Sequence, residues 1–139
     1  MKILIINPNS SVEMTKTINS TAQKYLSPGT EITTVNPADG PSFISNAYHS
    51  AVQTPKVLDI LEKNKGNYDY FILACGLDPG LDACRVVVKN IIGMGEAAIM
   101  TACAIAKRFS FLSSTAETAA VVPDRLHSLG IDPNRCVSA

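Results

Sequence analysis

Hydrophobic residues along the chain follow two alternating patterns. Residues 2–7 and 68–75 are dominated by consecutive apolar positions, which is typical of parallel strands covered by helices on both faces. Between them, Met14, Ile18 and Ala22 recur at the spacing of one helix face. The alternation of strands and helices predicts an α/β fold with a doubly wound parallel sheet. Further strands are predicted at residues 31–35, 90–93 and 109–114, with the start of another at 135–139.

Three capping signals predict where helices begin. Ser10 and Ser114 each precede a glutamate by three residues, which is the spacing of a capping box. Asp78 followed by Pro79 is typical of an N-cap residue with proline at the first helical position. The predicted helices cover residues 10–26, 47–65, 79–89, 96–108 and 114–128.

Charge and composition exclude several classes of partner. The chain has 12 basic and 12 acidic side chains, and residues 1–95 and 96–139 are each balanced as well. It has no tryptophan and only four Phe and four Tyr, so an aromatic platform for stacking bases is not expected. The sequence therefore predicts no nucleic-acid partner and no membrane partner.

No segment is long and apolar enough for export or membrane insertion. Residues 3–6 are too few for the core of a signal peptide, and the longest apolar stretch, residues 97–106, is about half of what spans a bilayer. We therefore expect a cytoplasmic protein. Its four cysteines are widely separated and form no CxxC pair, which indicates free thiols rather than disulfides or a zinc site.

Small and hydroxyl-bearing residues follow four of the predicted strands. Because the carboxyl ends of parallel strands meet at one edge of a sheet and lead into helix N-termini, we expect a cup there that holds an anion or a developing oxyanion. No GxGxxG or GxxxxGK[ST] motif occurs, so the cup is not predicted to bind a dinucleotide or nucleotide. The segments that would form the cup are residues 7–11, 75–80, 93–96 and 113–115.

Cys75 is the strongest candidate nucleophile or base of this cup. It lies at a strand end, next to a glycine and before a predicted helix, whose amide dipoles are expected to lower its pKa. The alternative interpretation is a small residue of the core. Cys84 and Cys103 are expected to pack in apolar faces, and His49 and His127 to be solvated or capping residues.

Other polar residues of the cup have structural explanations. Glu96 would complement a helix dipole, Asp78 would cap a helix, and Asn9 and Ser10 would be capping residues. An amide at a strand end is also the group that would orient a substrate carbonyl, so Asn9 stays a candidate binding residue.

Four motifs resemble those of the Asp/Glu/hydantoin racemase superfamily, and most of all its hydantoin and allantoin racemases. They are Ile6-Asn7-Pro8-Asn9-Ser10-Ser11 with Met14-Thr15, Val35-Asn36-Pro37-Ala38, Ala74-Cys75 followed by Asp78-Pro79-Gly80-Leu81-Asp82, and Gly93-Met94-Gly95-Glu96-Ala97-Ala98. The resemblance runs through the whole chain, and the stretch that begins at the cysteine is its most specific part.

The resemblance implies a racemase built from two similar α/β lobes, each Rossmann or flavodoxin-like. Residues 1–95 would be the first lobe, and residues 96–139 the incomplete start of the second. In this family two cysteines face opposite sides of a carbon acid, one removing the α-proton as thiolate and the other returning a proton as thiol. By position, Cys75 is the first of them. The residues that the resemblance places along the small-molecule substrate are Asn9, Gly76, Leu77, Ser113 and Ser114.

The resemblance also implies that the enzyme uses no cofactor and no metal. Two departures from the family pattern stand out. Gly76-Leu77 replaces an aromatic or small residue followed by glycine, which would alter the pocket wall. The second catalytic cysteine would fall beyond residue 139, and Cys136 aligns at a position without a catalytic role.

We interpret the chain as a fragment of a racemase or the product of a truncated gene. Such a chain would expose apolar surface and an unpaired strand edge, so we expect a homo-oligomer. Three functions remain open: a racemase of a hydantoin, a similar ureide or an amino-acid derivative; a cysteine-dependent decarboxylase or cis–trans isomerase; and a non-catalytic remnant that binds a small carboxylate.

Overall fold

A computed structural model describes the chain from Met1 to Ala139. Six strands, six α-helices and one 3-10 helix make up its regular structure. In chain order they are β1 (Lys2–Ile6), α1 (Val12–Gln23), β2 (Glu31–Val35), α2 (Ala47–Asn64), β3 (Tyr70–Leu73), α3 (Leu81–Val87), β4 (Ile91–Gly93), α4 (Met94–Ile105), β5 (Phe109–Ser110), α5 (Ala116–Ala120), α6 (Val122–Ser128), the 3-10 helix (Pro133–Arg135) and β6 (Cys136–Ser138).

The first four strands form a parallel sheet in the order β2-β1-β3-β4. β1 is central, with Leu4 opposite both Thr33 of β2 and Phe71 of β3. A helix connects each successive pair of strands, as parallel connections require. The last residues of the four strands, which lie along one edge of the sheet, are Ile6, Val35, Leu73 and Gly93.

The core of this sheet explains why its central strand is apolar at consecutive positions. Leu4, Ile5 and Ile6 are each at most 4% exposed, so both faces of β1 are covered. Leu4 and Ile6 pack in one cluster with the fully buried Val57 and Leu61 of α2. Each such side chain contributes about 1.5–3 kcal/mol to stability through burial.

The chain divides into two compact units, residues 1–94 and 95–139. The second unit has a core of its own, in which Ile99 of α4 packs with Val122 and Leu126 of α6. β5 pairs in parallel with β6 in a two-stranded sheet, Phe109 opposite Cys136. The interpretation of the second unit as the start of another lobe stays a prediction.

The α/β fold with a parallel sheet is confirmed, while individual elements differ from their predicted bounds. The fifth strand is the two residues Phe109–Ser110 instead of residues 109–114. Leu112 in the middle of the predicted segment is 98% exposed, so its apolar character does not mark a buried strand. The last predicted helix is divided into α5 and α6 at Val121.

Both predicted capping boxes are wrong by one residue. The N-cap residues are Ser11 and Thr115, whose side chains each accept a hydrogen bond from a backbone N–H three residues later. Ser10 is not the cap, since its hydroxyl lies against the carbonyl of Gly40, to which it donates at 2.8 Å. In α5 the second bond of the box is accepted by the side chain of Thr118 from the backbone N–H of Thr115, and not by the glutamate of the predicted box.

None of the helices combines the length and the apolar character that crossing a membrane would require.

Candidate functional site

The carboxyl edge of the four-stranded sheet brings together loops that are far apart in the sequence. The backbone N–H of Asn7, after β1, donates to the carbonyl of Val35 at 2.9 Å, and that of Ala74, after β3, donates to Ile6 at 2.8 Å. Ser10 donates from its backbone N–H to Pro41 at 3.0 Å. The predicted site residues Asn9 and Cys75 therefore follow neighbouring strands of one sheet edge.

Asn9 lies in a buried polar network at the end of β1. Asn9 is 4% exposed and Asn7 is fully buried. The Nδ2 atom of Asn7 lies 2.9 Å from Oδ1 of Asn9 and 3.0 Å from Oγ1 of Thr15. Thr15 in turn lies 2.8 Å from Oδ1 of Asn36, which follows β2. Asn7 lies in the predicted cup segment 7–11, whereas Thr15 and Asn36 of this network lie outside the predicted segments.

Cys75 lies in a tight turn directly after β3. Its carbonyl accepts a hydrogen bond from the backbone N–H of Asp78 at 3.1 Å, and Gly76 between them is exposed. Cys75 and Leu77 are half-buried. The turn therefore holds the three predicted residues Cys75, Gly76 and Leu77 together at the sheet edge.

The predicted lowering of the Cys75 pKa is wrong. Burial raises the pKa of the thiol, and the negative charge of Asp78 raises it further. Hydrogen bonds from the backbone of Leu77 and Asp78 lower the pKa without outweighing burial. Cys75 is therefore a protonated thiol at neutral pH.

The predicted helix cap at Asp78 is also wrong, because α3 begins later, at Leu81, after Gly80 as the N-cap residue. Asp78 instead has a left-handed backbone with φ 45° and is 4% exposed. A Cβ atom at Gly93 would lie 2.6 Å from Oδ1 of Asp78 and 2.5 Å from Cδ2 of Leu81. Glycine at the end of β4 thus leaves the space in which the Asp78 carboxylate lies.

Ser113 and Ser114, predicted to line the substrate, belong to the second unit. Ser113 is half-buried and its hydroxyl bonds to that of Thr118 in α5, while Ser114 is exposed in the loop before that helix. Their role in substrate binding stays a prediction.

The other three cysteines pack in or against a hydrophobic core, and His49 contacts a neighbouring hydroxyl. Cys84 is fully buried in the first core, where burial raises its pKa to about 11. Cys103 and Cys136 pack against the core of the second unit. Nδ1 of His49 lies 3.0 Å from the Ser45 hydroxyl.

All four cysteines are free thiols. No three His, Cys, Asp or Glu side chains of the chain are grouped so that they could hold a metal ion. In the second unit, Oε2 of Glu96 lies 3.6 Å from Nη2 of Arg125, so this carboxylate is part of an ion pair.

The parallel sheet agrees with the α/β fold that the resemblance of the sequence motifs implied. The sequence model of the Asp/Glu/Hydantoin racemase family matches residues 3–139, and the chain therefore belongs to this family.

Two of its relatives are named hydantoin racemase. The chain is 35% identical over 116 residues to the hydantoin racemase of Paenarthrobacter aurescens, covering 81% of this chain and 49% of that protein. It is 34% identical over 133 residues to the hydantoin racemase of Pseudomonas sp. strain NS671, covering 94% and 53%. The chain thus spans about half the length of these curated relatives.

Solved structures agree with this assignment. The fold matches the allantoin racemase from Klebsiella pneumoniae with a TM-score of 0.91 at 33% identity, over 98% of this chain and 56% of that one. It matches the allantoin racemase from Pseudomonas fluorescens with a TM-score of 0.90 at 27% identity, over 99% and 59%.

Proposed function

We propose that this chain is part of a racemase that acts on a hydantoin, allantoin or similar carbon acid, and that Cys75 transfers a proton at the substrate. The observation that carries the proposal is Cys75 itself, a thiol presented by a tight turn at the carboxyl edge of a parallel sheet. Family membership and the names of the relatives support the same reaction class.

Inversion of a carbon centre needs an acid or base on each of its faces. We assign Cys75 to one face, and we expect the other group in a part of the relatives that these 139 residues do not cover. Because burial and Asp78 keep Cys75 protonated, its resting role is that of the acid. In the opposite direction of the reaction it would have to lose its proton, and the backbone hydrogen bonds from Leu77 and Asp78 favour that step.

The substrate class removes the need for a cofactor in this proposal. The reacting C–H of a hydantoin lies next to a ring carbonyl, so the carbanion is stabilised as an enolate without an electron sink. The protein then has to supply donors for the enolate oxygen. The backbone N–H of Gly76 and the amide of Asn9 are the candidates in the first unit.

A second candidate function is binding of a small carboxylate or ureide without turnover. The raised pKa of Cys75 favours it, because a thiol that stays protonated is a poor base. A deuterium-exchange experiment separates racemisation from binding without turnover.

The test is incubation of the chain in D₂O with each enantiomer of a simple 5-substituted hydantoin, followed by mass and chirality of the recovered substrate. Wild-type protein is expected to exchange the α-hydrogen of at least one enantiomer faster than the buffer alone. Cys75→Ala should abolish this exchange. Cys136→Ala, which removes a half-buried cysteine of the second unit, is the matched control and should retain it.

Exchange without inversion would mean that Cys75 works and that the group for the opposite face is missing. Exchange that persists in Cys75→Ala would contradict the assignment of this cysteine. A decarboxylase would leave the hydantoin unchanged, because a 5-substituted hydantoin has no carboxylate to lose, and would instead release carbon dioxide from a 2-substituted malonate added as a second probe.

A further inference from the structure

The side-chain amide of Asn7 is buried at the centre of the polar network after β1. Its Nδ2 lies 2.9 Å from Oδ1 of Asn9, 3.0 Å from Oγ1 of Thr15 and 3.3 Å from the carbonyl of Ser11. Its Oδ1 accepts from the backbone N–H of Asn9 at 3.3 Å. Nothing in the reaction itself requires Asn7, so its place beside a candidate binding residue needs an explanation.

The amide of Asn9 is held in one orientation. Its Oδ1 accepts from Nδ2 of Asn7 and from the backbone N–H of Ser11, both at 2.9 Å, and so uses both of its lone pairs. If the oxygen and nitrogen of this amide were exchanged, the NH₂ group would face two donors. The amide nitrogen therefore has to point away from Asn7.

The orientation of Asn7 is fixed in the same way. Oγ1 of Thr15 accepts from Asn7 and donates its single proton to Ser11 or to Oδ1 of Asn36, each at 2.8 Å. Nδ2 of Asn36 donates to the carbonyl of Pro37 at 2.8 Å, which turns its oxygen toward Thr15. A chain of defined donors and acceptors thus runs from β2 to Asn9.

The nitrogen end of Asn9 is poorly satisfied by the protein. Its only hydrogen-bond contact is Sδ of Met14 at 3.0 Å, and a thioether is a weak acceptor. A buried amide with two N–H groups normally has stronger partners, because an unsatisfied donor is costly away from water. An oxygen atom of a ligand would supply such a partner.

We propose that Asn7 is a positioning residue that turns the amide nitrogen of Asn9 toward the substrate. This end of the site therefore takes a hydrogen-bond acceptor, a carbonyl or carboxylate oxygen, and not a ring N–H. The inference rests on the proposed function in one respect, namely that the substrate binds at this sheet edge.

The orientation can be tested without any ligand by NMR on the isotope-labelled full chain. In the wild type, the amide protons of Asn9 should show a cross-peak to the methyl group of Met14. Asn7→Asp places an acceptor beside Oδ1 of Asn9 and should remove this cross-peak. Asn7→Ala serves the same purpose if the buried aspartate prevents folding. Thr17→Val, which removes an exposed hydroxyl of the same helix outside the network, is the matched control and should keep the cross-peak.

The acceptor preference is tested by titration with 5-methylhydantoin. Saturable movement of the Asn9 amide protons is expected, with binding about tenfold weaker in Asn7→Asp and Asn9→Asp and changed less than about twofold in Thr17→Val. An unmoved Asn9 amide at the highest probe concentration, or equal binding by Asn7→Asp and the wild type, would overturn the inference. If the Asn9 amide protons move on titration but the wild type shows no α-deuterium exchange, the racemase proposal is refuted and the inference about Asn7 stands.

Discussion

Cys75 and Cys84 show how two thiols nine residues apart acquire different properties from their surroundings. At Cys84 burial in the apolar core outweighs one backbone hydrogen bond that lowers its pKa, whereas Cys75 also meets the carboxylate of Asp78, which raises its pKa. The balance at Cys75 therefore depends on its neighbours, which a substrate can change. Cys84 has no comparable means of ionising in the folded chain.

We expect Asp78→Asn to lower the pKa of Cys75, because the substitution removes a nearby negative charge and preserves the size of the side chain. The rate of iodoacetamide labelling at Cys75, followed by mass spectrometry of its peptide against pH, measures this. In the wild type the midpoint should lie above about 8.5, the value of a free cysteine. A midpoint below that value, or one that Asp78→Asn leaves unchanged, would contradict the electrostatic account.

Cys84 should make stability fall at alkaline pH. Its pKa is raised to about 11 in the folded chain, whereas in the unfolded chain it is about 8.5–9. The protonated Cys84 thiol makes its full contribution to stability at pH values below the pKa of the unfolded chain. That contribution is lost as the pH rises through the pKa of the folded chain. The loss is about 2–3 kcal/mol.

Urea unfolding of the wild type and of Cys84→Ala at about pH 8 and about pH 10.5 checks this expectation. The wild type should lose more free energy of unfolding between the two pH values than the variant does. All other ionisable groups are common to both proteins, so only the difference between the two losses reports on Cys84. Equal losses would show that Cys84 does not ionise preferentially on unfolding.

The end of β4 is adapted to the loop after β3. Gly93 leaves no more room than the Asp78 carboxylate and the Leu81 side chain require. We expect Gly93→Ala to cost about 1–3 kcal/mol, because the added methyl group forces one of them to move. Gly76→Ala is the control within the same site, because a Cβ atom there meets nothing within 4 Å.

Thermal or urea unfolding of the two variants measures this contrast. Gly76→Ala should remain within about 0.5 kcal/mol of the wild type. If Gly93→Ala were equally harmless, the close fit at the end of β4 would have no energetic consequence.

The strands were predictable because their burial leaves a direct trace in the sequence. Residues 3–6 are apolar in succession, and both faces of β1 are covered as that pattern predicts. The helix starts were less predictable, since Ser10 and Ser11 are both good caps and the choice depends on the carbonyl of Gly40. The contact is 30 residues away and leaves no local signal.

The site was predictable in position and not in detail. The strand ends and the Cys-Gly pair in the sequence predicted where the turn of Cys75 lies. The pKa of the Cys75 thiol, in contrast, depends on how deeply the fold buries that thiol. The left-handed conformation of Asp78 depends on space at Gly93, 15 residues later and on another strand. The hydrogen bonds that link Asn7 to Asn36 through Thr15 likewise form only once β1 and β2 have paired.

Large apolar side chains on the surface lead us to expect self-association of the chain. Val86 is 79% exposed, Ile105 81% and Leu112 98%. Sedimentation velocity should therefore show species larger than the 14.8 kDa of one chain. Ile105→Asp combined with Leu112→Ser should shift the distribution toward one chain, whereas Lys24→Asp at an exposed polar site should not. A single species of one chain in the wild type would contradict the expectation.

The central place of β1 in its sheet also bears on synthesis at the ribosome. β1 is completed at Ile6, but its second partner ends only at Leu73. At a usual elongation rate, roughly 3–13 s separate these two residues. During that interval one side of β1 has no strand beside it, and its run of isoleucines is available to chaperones or to another nascent chain. Translation speed therefore sets how long β1 waits for its second partner, and slower elongation should raise the fraction of chains that associate before folding.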